Sequence, residues 1–394
     1  MPDKKEVTIE TYGCTLNQAD SDIMAGILEK DGHSLAENAE IFILNTCTVK
    51  EATENKIISR IIELKKKGKR IVVAGCLGIN EERVEKADPQ AVIIHPGAIA
   101  RICEAIECAR NGEARRFREF APKEGLPRRF TKPILRVPVQ EGCAGNCHFC
   151  QTKLARPALF SYSRQWVRSW VEEGVRMGAK EIQITGQDTG AYGLDICSSL
   201  PELMGDVLSV EGDFRVRLGM INPAHAKRFL PEILKMLAHP KFYRFLHLPV
   251  QTGSEKVRRE MNRAHTVADF ECVVGKVRQK FPDAAISTDI IVGYPTESRE
   301  DFEETKKLIE RARPDIVNIS KYSSRRGTYA STLPKVPTEE VKRRSAEMSA
   351  LAKRISAERN SKYLGMEVDV LVTEMQKTPT GRMQNYKQVC IVSA

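Results

Sequence analysis

Apolar and polar positions alternate in blocks along the first 110 residues. Short apolar or β-branched runs (VTIETYG, IFILNTC, RIVVAGC, AVIIHP) are separated by longer stretches such as SDIMAGILEKDG and ATENKIISRIIELKKKG. The short runs predict strands, and the three-to-four-residue apolar spacing of the longer stretches predicts helices. Gly68 closes the second helix as a stop signal. Residues 1–110 are therefore expected to form a mainly parallel sheet flanked by helices. From residue 134 the alternation resumes with ILRVPVQ, EIQITGQ, FRVRLG, RFLHLPV, AISTDIIVG and DIVNISKY. Six βα units within 134–363 predict an incomplete parallel (β/α)6 barrel, with an open doubly wound sheet as the alternative. Either way, chemistry belongs at the carboxyl ends of the strands. Residues 336–363 read as a charged helix. In 364–394, GMEVDVLVTEMQ and YKQVCIVSA read as strands of a small β unit. The fold class is α/β.

Residues 111–133 lack periodicity and carry seven Lys/Arg against three Glu, which reads as a basic linker. The whole chain has a formal charge of +10, and 11 Lys/Arg face 4 Glu between Lys321 and Gly365. Such a balance suits a polyanionic partner, although part of it is accounted for by a solvated helix face. No apolar run approaches the roughly 20 residues needed to span a bilayer, and the first residues do not read as a secretory signal. A cytoplasmic protein with no membrane partner is expected.

Eleven cysteines, an odd number in a chain of 394 residues, argue against a disulfide scaffold and for metal or cluster ligation. Cys143, Cys147 and Cys150 form a CxxxCxxC array just past a predicted strand. Three thiolates from one loop can grip one metal centre, and Gly142 and Gly145 let the backbone fold around it. Zinc in a structural site takes four protein ligands, and the fourth is not evident here. Cys14, Cys47 and Cys76 lie far apart in sequence, but each ends a predicted strand, so a parallel sheet brings them to one edge. Packing of three small apolar residues is the alternative. No acid–base dyad or nucleophile triad is apparent.

The segment CAGNCHFC resembles the signature of the radical S-adenosylmethionine superfamily, including Phe149 before the last cysteine. The resemblance implies a [4Fe–4S] cluster on Cys143, Cys147 and Cys150 whose open iron is chelated by S-adenosylmethionine, with radical chemistry carried by cluster and cofactor rather than by catalytic side chains. YGCTLNQADSD, LNTCTV and VAGC resemble the N-terminal domain of the methylthiotransferase family. This implies a second [4Fe–4S] cluster on Cys14, Cys47 and Cys76, associated with the sulfur to be inserted. The family scheme consumes two molecules of S-adenosylmethionine and requires an electron donor and a sulfur source. Placed as in the family's cofactor pocket are Thr185, Gly186 and Gln187 (TGQDTG), Arg217, His247 and Gln251 (HLPVQTG), Asp289 and Gly293 (STDIIVGYPTE), and Tyr322. Lys153, Arg156, Asp188 and Arg325 are the expected substrate contacts.

CTLNQADSDIM, CHFCQTKLARP and TGQDTGAYG look closest to the branch acting on threonylcarbamoyladenosine in the tRNA anticodon stem-loop. Other branches modify isopentenyladenosine in tRNA or an aspartate of a ribosomal protein. A non-catalytic iron–sulfur RNA-binding protein is the alternative of another class. The expected organisation is an N-terminal methylthiotransferase domain (1–110), the linker (111–133), a radical core with its charged helix (134–363), and a partial unit over 364–394 that resembles a TRAM RNA-binding domain.

Overall fold

The structure, a computed structural model, describes residues 6–375 and 378–392. The chain divides into two compact units: one runs to Thr131 and also includes Cys150–Ala158, and the other contains Lys132–Phe149 and the chain from Leu159 onward.

The first unit is built on six parallel strands: β1 (Glu6–Thr11), β2 (Ser34–Leu35), β3 (Ile41–Thr46), β4 (Arg70–Gly75), β5 (Val92–Ile94) and β6 (Arg116–Phe117), in the spatial order β2-β1-β3-β4-β5-β6. Every residue of β3 is buried, as expected for a parallel strand covered on both faces. Helix α1 (Thr15–Lys30) follows β1, and α2 (Glu51–Lys66) follows β3. Ile57, Ile61 and Leu64 of α2 form one stripe that packs on Phe42, Leu44, Ile71 and Val73. Gly68, at φ +71°, ends α2 with its amide donating to the Lys65 carbonyl.

The segment 111–133 is not a free connector. It supplies β6 at the sheet edge, and Phe117 and Lys123 are fully buried. Farther on, the Arg129 amide donates to the Asp22 carbonyl of α1 (2.8 Å). A two-residue strand has no periodicity to read, and the partners of Lys123 lie about a hundred positions away.

In the second unit, β7 (Ile134–Pro138) is followed by a short antiparallel pair, β8 (Gln140–Glu141) and β9 (Phe160–Ser161). Then come β10 (Glu181–Thr185), β11 (Arg215–Leu218), β12 (Phe245–His247), β13 (Ala285–Val292) and β14 (Ile316–Lys321). The strands β7-β10-β11 and β12-β13-β14 form two parallel three-stranded sheets, linked where Val216 bridges Phe242. The spatial order follows the sequence without reversal, unlike a doubly wound sheet. Two of the intervening helices begin with reciprocal capping boxes, Thr266/Asp269 and Ser298/Asp301.

The expected charged helix spans Thr338–Ser361 and buries Val341, Arg344, Met348, Leu351 and Ile355. Several of its cations are committed to carboxylates: Arg344 to Glu297 (2.7 Å) and Arg359 to Asp315 (2.7 Å). The last strands, β15 (Leu371–Glu374), β16 (Thr380–Arg382) and β17 (Gln388–Cys390), form an antiparallel sheet with a bulge at Val372/Glu374. The sequence pattern predicts β15 and β17 but not the three-residue β16. Between β16 and β17, Tyr386 packs on Tyr243 and Phe245, and its hydroxyl donates to Glu181 (2.9 Å) at the start of β10.

Candidate functional site

Cys14, Cys47 and Cys76 follow β1, β3 and β4, which are adjacent in the first unit's sheet, so three distant cysteines reach one edge. Cys14 caps α1, and its thiol donates to Asn17 Oδ1 (3.3 Å). Asn17 in turn donates to the Thr46 carbonyl (2.7 Å), fixing the end of β3 beside Cys47. The Val49 amide donates to Cys47 Sγ (3.5 Å). Gly75 sits at φ +87°, where an added Cβ would lie 2.6 Å from the Thr46 carbonyl, so the turn into Cys76 needs glycine. Burial pushes the Cys76 thiol up to about 12; the Arg156 guanidinium draws it down, and the neighbouring Cys47 and Cys14 sulfurs push it up.

The short helix Thr152–Ala155 packs on the turn Cys76–Asn80 in this unit. It delivers Arg156, which places Nη2 2.5 Å from Asp20 Oδ2. The other oxygen of Asp20 takes Lys123 Nζ at 2.5 Å. All three charged side chains are almost wholly buried, with 0–2 % exposure. Arg156, expected at the substrate, is thus paired with buried Asp20. Lys153 is half-buried on the same short helix.

In the second unit, Gly145 has no side chain where two sulfurs converge. A Cβ there would stand 3.5 Å from Cys143 Sγ and 3.9 Å from Cys147 Sγ. The Gly145 amide donates to Cys143 Sγ (3.2 Å), and Arg263 Nη1 reaches Cys147 Sγ (3.5 Å). The loop is tied down from 260–263: Asn262 donates to the Asn146 carbonyl (2.8 Å), and His148 bonds Glu260 O through Nδ1 (2.7 Å) and Met261 O through its amide (3.1 Å). Phe149 packs with Tyr294, Tyr322, Val257 and Met261. Cys150 opens the segment that belongs to the first unit.

The strand-end residues divide into groups. His247 Nε2 lies 3.1 Å from both carboxylate oxygens of Asp289, which also accepts from Asn318 (2.8 Å). Gln251 holds φ +71°, uncommon for a side-chain-bearing residue, and is fixed by backbone bonds to Asp289 and Ile291. Thr185 is buried, and its carbonyl accepts from the Val139 amide (3.0 Å). Gly186 lies against Gln140, whose Cγ would be 2.9 Å from an added Cβ. The side-chain oxygens of Gln140 and Gln187 are buried without a hydrogen-bond partner.

Other candidates have structural employment. Asp188 accepts from the Gly190 and Asn222 amides (3.2 and 3.0 Å) and faces His225 (3.1 Å). Gly293 leaves room for Val341. Arg217 lies over the rings of Phe245 and Tyr386, facing the residue that enters from the amino-terminal strand ends. Arg325 is buried.

Among the described residues no three His, Cys, Asp or Glu side chains converge on a single metal ion. An iron–sulfur cubane spreads its ligand sulfurs wider than one ion does. The sets suit it chemically: each offers thiols with amide N–H donors aimed at sulfur and an arginine beside a cysteine.

Residues 137–309 match the radical SAM superfamily, and residues 6–95 match the uncharacterized protein family UPF0004. The probable threonylcarbamoyladenosine tRNA methylthiotransferase of Archaeoglobus fulgidus is 44% identical over 393 residues, covering 97% of this chain and 92% of its own length. The chain belongs to the threonylcarbamoyladenosine tRNA methylthiotransferase family. The Homo sapiens threonylcarbamoyladenosine tRNA methylthiotransferase is 34% identical, with 99% of this chain and 70% of that one covered. In fold, the chain is similar to the radical S-adenosylmethionine methyltransferase TsrM of Kitasatospora setae, at a TM-score of 0.61 and 12% identity over 83% and 77% of the two chains.

As radical S-adenosylmethionine proteins, members of this methylthiotransferase family work with an iron–sulfur cluster and S-adenosylmethionine. In this member, sequence reading missed Arg263, Asn262, Lys123, Asp20 and Asn17. Each is an ordinary polar residue in sequence, and only the folded chain places it beside a sulfur, a cluster loop or a buried charge.

Proposed function

We propose that the chain converts N6-threonylcarbamoyladenosine in the tRNA anticodon loop into its 2-methylthio derivative, replacing an aromatic C–H by S–CH3. Full-length similarity to the family, 44% over 97% of the chain, carries this reading. In it, Cys143, Cys147 and Cys150 hold one [4Fe–4S] cluster, and Cys14, Cys47 and Cys76 hold another. Together with S-adenosylmethionine these groups supply the radical chemistry and the sulfur. The chain's own residues bind and orient. Gln140 and Gln187 offer unmatched acceptors for the donors of S-adenosylmethionine; Gly186 keeps that approach open; His247, braced by Asp289, lines the same strand ends. Arg263 keeps positive charge on Cys147. The six parallel strands of the second unit are read as a partial barrel, and β15–β17 as part of a TRAM-like RNA-binding unit. The partners are tRNA, an electron donor and a sulfur source, and the setting is the cytoplasm.

The division of labour is tested with anaerobically reconstituted variants. Cys147→Ala is expected to abolish 5′-deoxyadenosine formation. Cys47→Ala is expected to retain part of it while losing sulfur insertion, with a corresponding loss of bound iron. Equal loss of both activities in the two variants would contradict this assignment.

A further inference from the structure

Arg263 leaves the same short segment that ties down the CxxxCxxC loop, directly after Asn262, which holds a left-handed φ of +53°. Its Nη2 donates to the Pro249 carbonyl (2.6 Å), two residues from both His247 and Gln251, and the Arg258 guanidinium donates to the carbonyl of Arg263 itself. These anchors aim Nη1 at Cys147 Sγ, 3.5 Å away. The side chain is only partly exposed, and its Nε is buried without a hydrogen-bond partner. A guanidinium stays charged at any pH the protein meets, and a cation drawn out of water is costly unless an anion compensates it. Neighbouring Arg258 has such an anion, Glu255, at 2.7 Å. Arg263 pairs with no carboxylate among the described residues; its two terminal nitrogens are taken by a carbonyl and a cysteine sulfur. That sulfur becomes anionic when it binds iron, which supplies the missing counter-charge.

We propose that Arg263 is the built-in counter-ion of the cluster on Cys143, Cys147 and Cys150, fixing the Cys147 sulfur and raising the reduction potential of that cluster. This rests on the cluster reading of those three cysteines. An electron taken up from the donor makes the cluster more negative, so a fixed cation beside a ligand sulfur favours the reduced form. A hydrogen bond to the sulfur acts in the same direction. Arg263 is a positioning residue: it acts through the cluster, and nothing in the arrangement requires it to touch the substrate.

The test uses the full chain with Cys14, Cys47 and Cys76 changed to Ala, so that any cluster sits on the CxxxCxxC loop. After reconstitution with iron and sulfide, the midpoint potential is read by potentiometric electron paramagnetic resonance, alongside iron content and circular dichroism. Arg263→Met removes charge and donors together and is expected to lower the reduced-to-oxidised ratio at fixed potential about tenfold, which is about 59 mV for one electron. Arg263→Gln keeps a donor without the charge and is expected to fall between Met and the parent. Arg263→Lys keeps the charge and is expected to restore most of the loss. Asn262→Gly gives up the bond to the Asn146 carbonyl but leaves the guanidinium, and is expected to leave the potential near that of the parent. Should Arg263→Met fail to load iron, the order of Gln, Lys and parent still decides. Potentials unchanged in the Met and Gln variants, or an equal drop in Asn262→Gly, overturn the role of Arg263 alone. A parent that binds no cluster overturns the cluster reading, and this proposal with it.

Discussion

His265 is buried with Nε2 against the Val250 carbonyl, and burial, reinforced by the Arg263 charge, pushes its pKa down from 6.5 to about 3. Between those values the unfolded chain binds a proton that the folded chain refuses. Stability is therefore full above pH 6.5 and is lost as pH falls below it, by on the order of 1.4 kcal/mol per pH unit. Denaturant unfolding at pH 7 and pH 5.5 is expected to show this loss, and His265→Gln to remove it; an unchanged slope in the variant would contradict the assignment. Gly75→Ala is expected to cost about 1–3 kcal/mol through its positive φ, with more from the clash with Thr46, and to lower iron loading at Cys14, Cys47 and Cys76. Guanidinium unfolding and iron assay check both. At this scale the meeting of Cys14, Cys47 and Cys76 at one sheet edge was legible, because each ends a predicted strand and those strands lie side by side. Arg156 was noticed, but a sequence shows only that a cation follows the CxxxCxxC loop, not that buried Asp20 waits for it.

Among the elements, the predicted strands of both sheets appear where apolar runs are four residues or longer. Those that escaped, β2, β6, β8, β9 and β16, are two or three residues long and are held by their neighbours rather than by their own pattern. Helix α1 begins at Thr15, six residues before its apolar pattern starts. Its first turns carry Asn17 and Asp20, buried for the sake of the thiols and cations, so a period-based reading misses them. Tyr386 joins the last strands to the parallel array through two rings and one carboxylate. Tyr386→Ala is expected to cost about 3 kcal/mol and to expose the chain beyond Ser361 to limited proteolysis. Proteolytic protection equal to the parent's would show that β15–β17 are held by other contacts.

Across the whole molecule, the pattern of strands and helices conveyed the order of six parallel strands but not the exchange of Cys150–Ala158 into the first unit, because that choice is made by packing on the Cys76 turn. Nor does a charge of +10 name a partner. Several cations of its basic segments, among them Lys123, Arg344 and Arg359, already face buried carboxylates inside the fold. Similarity over 97% of the chain, at 44% identity, to the probable threonylcarbamoyladenosine tRNA methylthiotransferase of Archaeoglobus fulgidus points to the tRNA nucleoside instead. The central claim is tested by incubating anaerobically reconstituted enzyme, reductant, sulfide and S-adenosylmethionine with tRNA containing threonylcarbamoyladenosine, then analysing digested nucleosides by mass spectrometry. The account predicts the 2-methylthio derivative of threonylcarbamoyladenosine, absent when Cys147 is Ala. Cleavage of S-adenosylmethionine with that nucleoside left unmodified would contradict it.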